Sequence, residues 1–240
     1  MTDVVQLPRL STGTQASPLS ELQVLSSADP SFGSAGGSPA RLSVQAKLSK
    51  QLITQAASND FLDKIVKRDL AAAISQKLDN EIINGSGVAG DAGGLLSMIS
   101  ALQSFTFGAA ATWSKYIGAQ QTIETNFVDA DKAIWLIGVA SAAKARQTVR
   151  ASSTANFIAQ EGKIGEIPYY ATTFLSTTEQ AILADWSTVA LVCWGSGLEF
   201  IVDPFSLASS GEIVVTALIY YNVFARRPQT VVISTDSGAQ

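Results

Sequence analysis

Hydrophobic and polar positions change their period several times along this chain, and each change marks an element. Residues 40–48 alternate strictly, with Leu42, Val44, Ala46 and Leu48 separated by polar partners. Successive side chains on a strand point to opposite faces, so this period of two predicts a strand with one buried face. A second extended piece covers residues 4–10, with Val4, Val5, Leu7 and Leu10. Between the two, residues 26–39 are rich in Ser, Ala, Gly and Pro, and include the run Gly33-Ser34-Ala35-Gly36-Gly37. That composition offers few side chains to bury and predicts a flexible loop tip at Gly33, Gly36 and Gly37. Residues 1–57 together predict a long two-stranded ribbon, which needs a further surface to pack on because isolated ribbons are marginal.

At residue 59 the period switches. Phe61, Leu62, Ile65, Val66, Leu70, Ala73, Ile74, Leu78, Ile82 and Ile83 follow spacings of three and four, one helical stripe over residues 59–84. Ser58 suits the N-cap, Asp60 and Asp63 suit the positive end of the helix dipole, and Gly85 suits the C′ position. Such a helix is about 39 Å long. Lys64, Lys67, Arg68 and Lys77 fall largely on its polar side. A solvated face is the plainer reading of these; for Lys64, Lys67 and Arg68 a face turned to nucleic acid is the other.

Gly85, Gly87 and Gly90 then form a G-x-G-x-x-G. A dinucleotide site needs a strand before those glycines, so that a helix N-terminus meets the phosphates. Here a helix precedes them and presents its negative end, which predicts a glycine-rich turn. Further on, residues 114–126 and 139–149 predict helices and residues 133–138 a buried strand. Strand pieces follow at 164–175 around Pro168, at 189–194, 198–202, 212–224 and 229–233. The mixture is α+β rather than a bundle or a sandwich.

Composition narrows the chemistry. There is no histidine, which excludes Ser-His-Asp and Cys-His catalysis and histidine-ligated zinc. The one cysteine, Cys193, lies in the apolar run 189–194 and is expected to be a buried small hydrophobe. Charged residues are 15% of the chain against about 25% in ordinary domains, and the acids are scattered. No catalytic residue, cofactor or metal ligand is therefore expected. A net charge of −4 argues against a protein built to grip nucleic acid, and no apolar stretch reaches the ~20 residues of a membrane span. The N-terminus carries no basic region followed by an apolar run, so no secretory signal is visible.

Four stretches in this order resemble the HK97-type major capsid proteins of tailed bacteriophages. Residues 33–53, ending in Leu48-Ser49-Lys50-Gln51-Leu52-Ile53, look like the family's descending loop strand and the segment after it. Residues 69–87, ending in Ile83-Asn84-Gly85-Ser86-Gly87, look like the end of its spine helix. Ile167-Pro168-Tyr169-Tyr170 and Phe224-Ala225-Arg226-Arg227-Pro228 resemble its later turn and closing segment. The resemblance implies an α+β HK97-like fold with an E-loop ribbon (1–50), a P-domain (51–115 and 197–235, with the spine helix 59–84), an A-domain (116–196) and a C-terminal tail (236–240).

It also implies a structural subunit, not an enzyme, that self-assembles into an icosahedral shell enclosing phage DNA. Such a subunit belongs to the virion capsid and is assembled in the host cytoplasm. Its implied partners are copies of itself in hexamers and pentamers, packaged double-stranded DNA held non-specifically, and decoration, portal or scaffolding proteins; no membrane is involved. An encapsulin-like nanocompartment shell, enclosing cargo enzymes, shares the fold and is the alternative. Arg9, Glu21, Arg226 and Arg227 are candidates for polar contacts between subunits, although a solvated charge is the plainer reading of each taken singly. The resemblance places Met1 inside the E-loop with no arm ahead of it, which processing, truncation or a shortened lineage would each explain. Family members that weld their shells join an E-loop lysine to an asparagine of another subunit. Residues 1–46 contain no lysine, so no such bond is expected here.

Overall fold

The computed structural model describes residues 4–12, 29–55, 59–88, 90–108, 110–126, 130–152, 155–175 and 181–236. In chain order its elements begin with β1 (Val5–Thr12), β2 (Ser31–Gly37), β3 (Ala40–Ser49), α1 (Lys50–Gln55) and α2 (Asn59–Asn84). Next come β4 (Gln103–Phe105), α3 (Trp113–Thr125), β5 (Ala133–Gly138) and α4 (Val139–Gln147). The chain continues with β6 (Ala159–Gln160), β7 (Lys163–Ile164), β8 (Ile167–Thr172) and β9 (Ala181–Asp185). It closes with β10 (Val189–Asp203), β11 (Glu212–Ala225) and β12 (Val231–Ser234). The strands form three sheets: β1-β2, then β10-β11-β3, then β4-β12-β9-β5-β8-β7-β6.

The alternation in β3 finds its partner far along the chain. Ala46 pairs with Val215, Val44 with Ala217 and Leu42 with Ile219, all antiparallel. Directly paired residues share a face, so β3 and β11 together present one apolar surface, and α2 lies on it. Leu70 and Ile74 of the helix are buried against Val215, Ala217 and Ile219, with Val66 and Leu78 half-buried beside them. Each such side chain contributes about 1.5–3 kcal/mol when fully buried. The helical stripe is narrower than its letters: Ile65 is 48% exposed and Ala73 is also exposed.

The second core belongs to the seven-stranded sheet. Trp135 on β5 is fully buried, with Tyr116 of α3 at 5.4 Å and Phe107 beyond it at 5.0 Å from Tyr116. The edge-on contact of Tyr116 with Trp135 suits the quadrupoles of the rings. Burial pushes the Tyr116 hydroxyl up to about 12. β9, which carries no alternation and was not expected, runs antiparallel to both β5 and β12; Ala181, Ile182, Leu183 and Ala184 are all fully buried.

Several expectations are corrected. The ribbon is not made of residues 4–10 and 40–48. β1 pairs with β2, and β3 belongs to the helix-backed sheet. Gly33, Gly36 and Gly37 therefore lie within a strand and form no loop tip. Their missing side chains permit close approach: a Cβ on Gly36 would run into the Val5 carbonyl, and one on Gly33 would lie 3.3 Å from Arg9 Nε. The segments 189–194 and 198–202 are one strand, β10, whose register with β11 shifts between Trp194 and Glu199.

Cys193 is exposed. It pairs with Tyr221, on the face that α2 and the glycine turn cover, but β10 is the outer strand of its sheet and the cover does not reach it. The expected lobe boundary between residues 196 and 197 falls inside β10. β4 and β12, which the resemblance assigns to the P-domain, are strands of the seven-stranded sheet.

Candidate assembly surfaces

The ribbon is built from β1 and β2 alone. Val5 pairs with Gly37, Leu7 with Ala35 and Arg9 with Gly33, which puts Val5, Leu7, Ala35 and Arg9 on one half-buried face. The other face exposes Gln6, Pro8, Ser34 and Phe32, the last 73% accessible. Among the described residues the ribbon has no third strand, and a two-stranded ribbon of that kind is marginal on its own.

A second exposed apolar group lies at the connection between β10 and β11. Ile201, Val202 and Phe205 are 51%, 54% and 83% exposed. The turn that displays Phe205 is ordered by Asp203, whose Oδ1 accepts the N–H groups of Phe205 at 2.8 Å and Ser206 at 3.1 Å. The Ser206 hydroxyl donates to the same carboxylate. That hydroxyl above all, then the two N–H groups, holds the Asp203 carboxyl below the usual carboxylate range. The Lys50 N–H at the start of α1 donates to the Gly211 carbonyl at 2.8 Å, tying the far end of this connection to the body. Leu52 of α1 adds another exposed apolar side chain, 49% accessible.

The residues singled out from sequence for polar contacts stand on separate elements. Arg9 lies across the ribbon at Gly33. Arg226 and Arg227 lie between β11 and β12 with exposed side chains, while the Arg226 N–H donates to the Thr188 carbonyl at 2.8 Å. Glu21 lies outside the described residues. On α2, Lys64 and Arg68 are exposed, and Lys67 is half-buried and paired with Asp63 at 2.7 Å. An exposed i,i+4 pair of that kind contributes about 0.3–0.5 kcal/mol.

Sequence reading missed two arginine–aromatic stacks. Arg150 lies 4.2 Å from the Trp113 ring and its Nε donates to the Phe157 carbonyl at 2.9 Å. Arg146 lies over Tyr169 and its Nε donates to the Tyr169 hydroxyl at 2.7 Å. Sequence carried no signal for either, because the partners are brought together from different elements.

The glycine turn after α2 is a packed joint. Gly85 N–H donates to Glu81 O, and Gly94 N–H to Gly85 O, both at 2.9 Å. A Cβ on Gly85 would lie 2.7 Å from Glu81 O and Gly94 N, so close approach rather than a left-handed backbone requires glycine here. Beside it, buried Glu81 pairs with Lys77. Asp91 accepts the Ser86 N–H at 3.0 Å, the Ser86 hydroxyl at 2.9 Å and the Tyr221 hydroxyl at 3.3 Å. Burial pushes the Asp91 carboxyl up, but the Ser86 bonds, a hydrogen bond shared with Glu81 and the one from Tyr221 outweigh it and hold the carboxyl low. Burial, followed by the two neighbouring carboxyl groups, pushes the Tyr221 hydroxyl up. This network ties α2, the turn and β11 together.

Among the described residues there is no group of three or more Cys, Asp or Glu arranged to hold a metal ion. Among the same residues no helix is long and apolar enough to cross a membrane.

The fold matches solved capsid structures. A gene transfer agent capsid ("Capsid of native GTA particle computed with C5 symmetry") superposes with a TM-score of 0.79 at 14% identity, covering 98% of this chain and 85% of that one. A Mycobacterium phage Adephagia chain gives 0.75 at 15% identity, covering 98% and 85%, and one from Mycobacterium phage Bobi gives 0.73 at 17%, also covering 98% and 85%. These likenesses establish the HK97-like fold. No curated relative matches the chain by sequence. The sequence does match the Phage capsid family over residues 2–234, and with that match added to the long helix, the ribbon and the two larger sheets, the chain belongs to the phage capsid family and is a structural capsid subunit.

Proposed function

We propose that this chain is the major subunit of a tailed-phage capsid and that it works by tiling with copies of itself, with no catalytic step. Hexamers and pentamers of the chain close an icosahedral shell around double-stranded DNA, which the acidic subunit encloses by confinement rather than by tight binding. The ribbon of β1 and β2, rather than the whole of residues 1–50, serves as the arm that reaches a neighbouring subunit. The sheet β10-β11-β3 with the spine helix at 59–84 forms the peripheral body, and the seven-stranded sheet with α3 and α4 forms the lobe that gathers about the symmetry axes. Assembly takes place in the host cytoplasm, with decoration, portal or scaffolding proteins as further partners.

The observation that carries this reading is the family match over almost the whole chain. The arm-like ribbon and the exposed Phe32 and Phe205 support it, since large apolar side chains held in ordered structure suit surfaces that neighbours cover. Arg9, Arg226 and Arg227 supply polar contacts at those surfaces, and Lys64, Lys67 and Arg68 face the packaged DNA. Particles purified from cells in which the phage genome replicates should protect double-stranded DNA from nuclease. Particles that hold cargo enzymes and no DNA would overturn the proposal.

A further inference from the structure

The ribbon β1–β2 shares no backbone ladder with either larger sheet. It meets the body through Ser38 and Pro39, the two residues between β2 and β3. β3 pairs with β11 as far as Ala40, opposite Tyr221, and the ladder ends there. The next residue towards the ribbon is Pro39, which has no N–H to continue it. The neighbouring residue on β11 takes over with its side chain: Asn222 Nδ2 donates to the Ser38 carbonyl at 2.6 Å. The same amide is anchored at its other end, where Oδ1 accepts the Val223 N–H at 2.7 Å. Gly37 completes the fit, because a Cβ there would run into Nδ2 and lie 3.2 Å from Cγ of Asn222.

We propose that Asn222 is a positioning residue that fixes the direction in which the ribbon leaves the body, through the Ser38 carbonyl and against the bare Cα of Gly37. The inference rests on the reading of the ribbon as an arm between subunits, and it locates what aims that arm. Leverage makes the aim matter. From Gly37 to Ser31 the strand runs ~20 Å, so a tilt of about 10° at Ser38 moves its far end by roughly 3–4 Å. That is enough to take a side chain out of van der Waals contact with a neighbour. The glycine at position 37 is thus a seat for an amide, which explains why a bulkier residue would disturb a strand that otherwise accepts one.

The test uses spin labels at Ser34→Cys and Gln45→Cys in the full chain, with Cys193→Ser, and labelled chain diluted into unlabelled so that only distances within one subunit are read. The native background should give one narrow distance distribution. Asn222→Asp keeps the volume and the Oδ1 acceptor but deletes the donor, and Asn222→Ala removes both; each should broaden the distribution by several ångströms while circular dichroism of the body stays native. Gly37→Ala should broaden it too, and adding Gly37→Ala to Asn222→Ala should change little further, because both break one contact. An unchanged distribution in Asn222→Asp, or strictly additive effects of Asn222→Ala and Gly37→Ala, would overturn the proposal. Electron microscopy of the same variants keeps the two readings apart. Native shells built from subunits with a loosened ribbon would contradict the arm's role between subunits, whereas an unloosened ribbon contradicts the role of Asn222 whatever the shells look like.

Discussion

Ile65 and Ile74 occupy the same helical stripe in the sequence, yet the structure gives them opposite fates. Ile74 is 3% exposed and packs against Val215, Ala217 and Ile219, whereas Ile65 is 48% exposed. Truncating Ile74 to alanine removes three buried carbons, worth about 2.4 kcal/mol at ~0.8 kcal/mol each, and leaves a cavity between α2 and the sheet that brings the cost to about 3–4 kcal/mol. For a chain of this length that corresponds to a fall of roughly 10 °C in thermal midpoint. Ile65→Ala loses partly hydrated carbons and gains helix propensity, so its cost stays within about 1 kcal/mol. Urea denaturation of the unassembled full-length subunit, followed by circular dichroism, measures both. Equal destabilisation by the two variants would refute the placement of α2 on β3 and β11.

Further expectations follow from other sites. Asp91 titrates lower in the folded chain than in the unfolded one, so its contribution is present above about pH 4 and is lost as pH falls through the folded value. Thermal midpoints followed from pH 7 down to pH 2 should fall more for the native chain than for Asp91→Asn, and parallel curves would count against the network with Ser86 and Tyr221. Cys193 should react stoichiometrically with a thiol reagent in the native subunit, since it is exposed on an outer strand; reaction only after denaturation would show β10 to be covered. Boiled denaturing gels of assembled particles should show intact monomer, because residues 1–46 hold no lysine for an arm-borne isopeptide bond. A ladder of covalent oligomers would contradict that.

The parts of the fold that sequence revealed are those where one element sets its own period. α2 was legible over its whole length because three- and four-residue spacings repeat over 26 residues. β3, β5 and β11 were legible from alternation or from a short apolar run with flanking punctuation. What stayed hidden depends on partners distant in the chain. Nothing near Leu42 says that it pairs with Ile219 rather than with β1. Apart from Phe32, β2 is written in Gly, Ser and Ala and pairs through its backbone, so composition pointed to a loop where the ladder made a strand.

β9 is five residues without alternation, buried on both faces. Cys193 was misread for a related reason: an apolar run shows that a strand is present but not that it lies at the edge of its sheet. Of the candidate assembly surfaces, the glycines of the ribbon and the arginines at 226 and 227 were visible as residues. The displayed Phe205, the clamp at Asn222 and the stacked Arg146 and Arg150 needed the fold to bring their partners together.

The central claim is that this chain closes shells with copies of itself. Electron microscopy of the purified full-length protein under assembly conditions tests it most directly. Closed shells with fivefold and sixfold clusters of subunits are the predicted result; stable monomers, small rings or open tubes as the end state would contradict it.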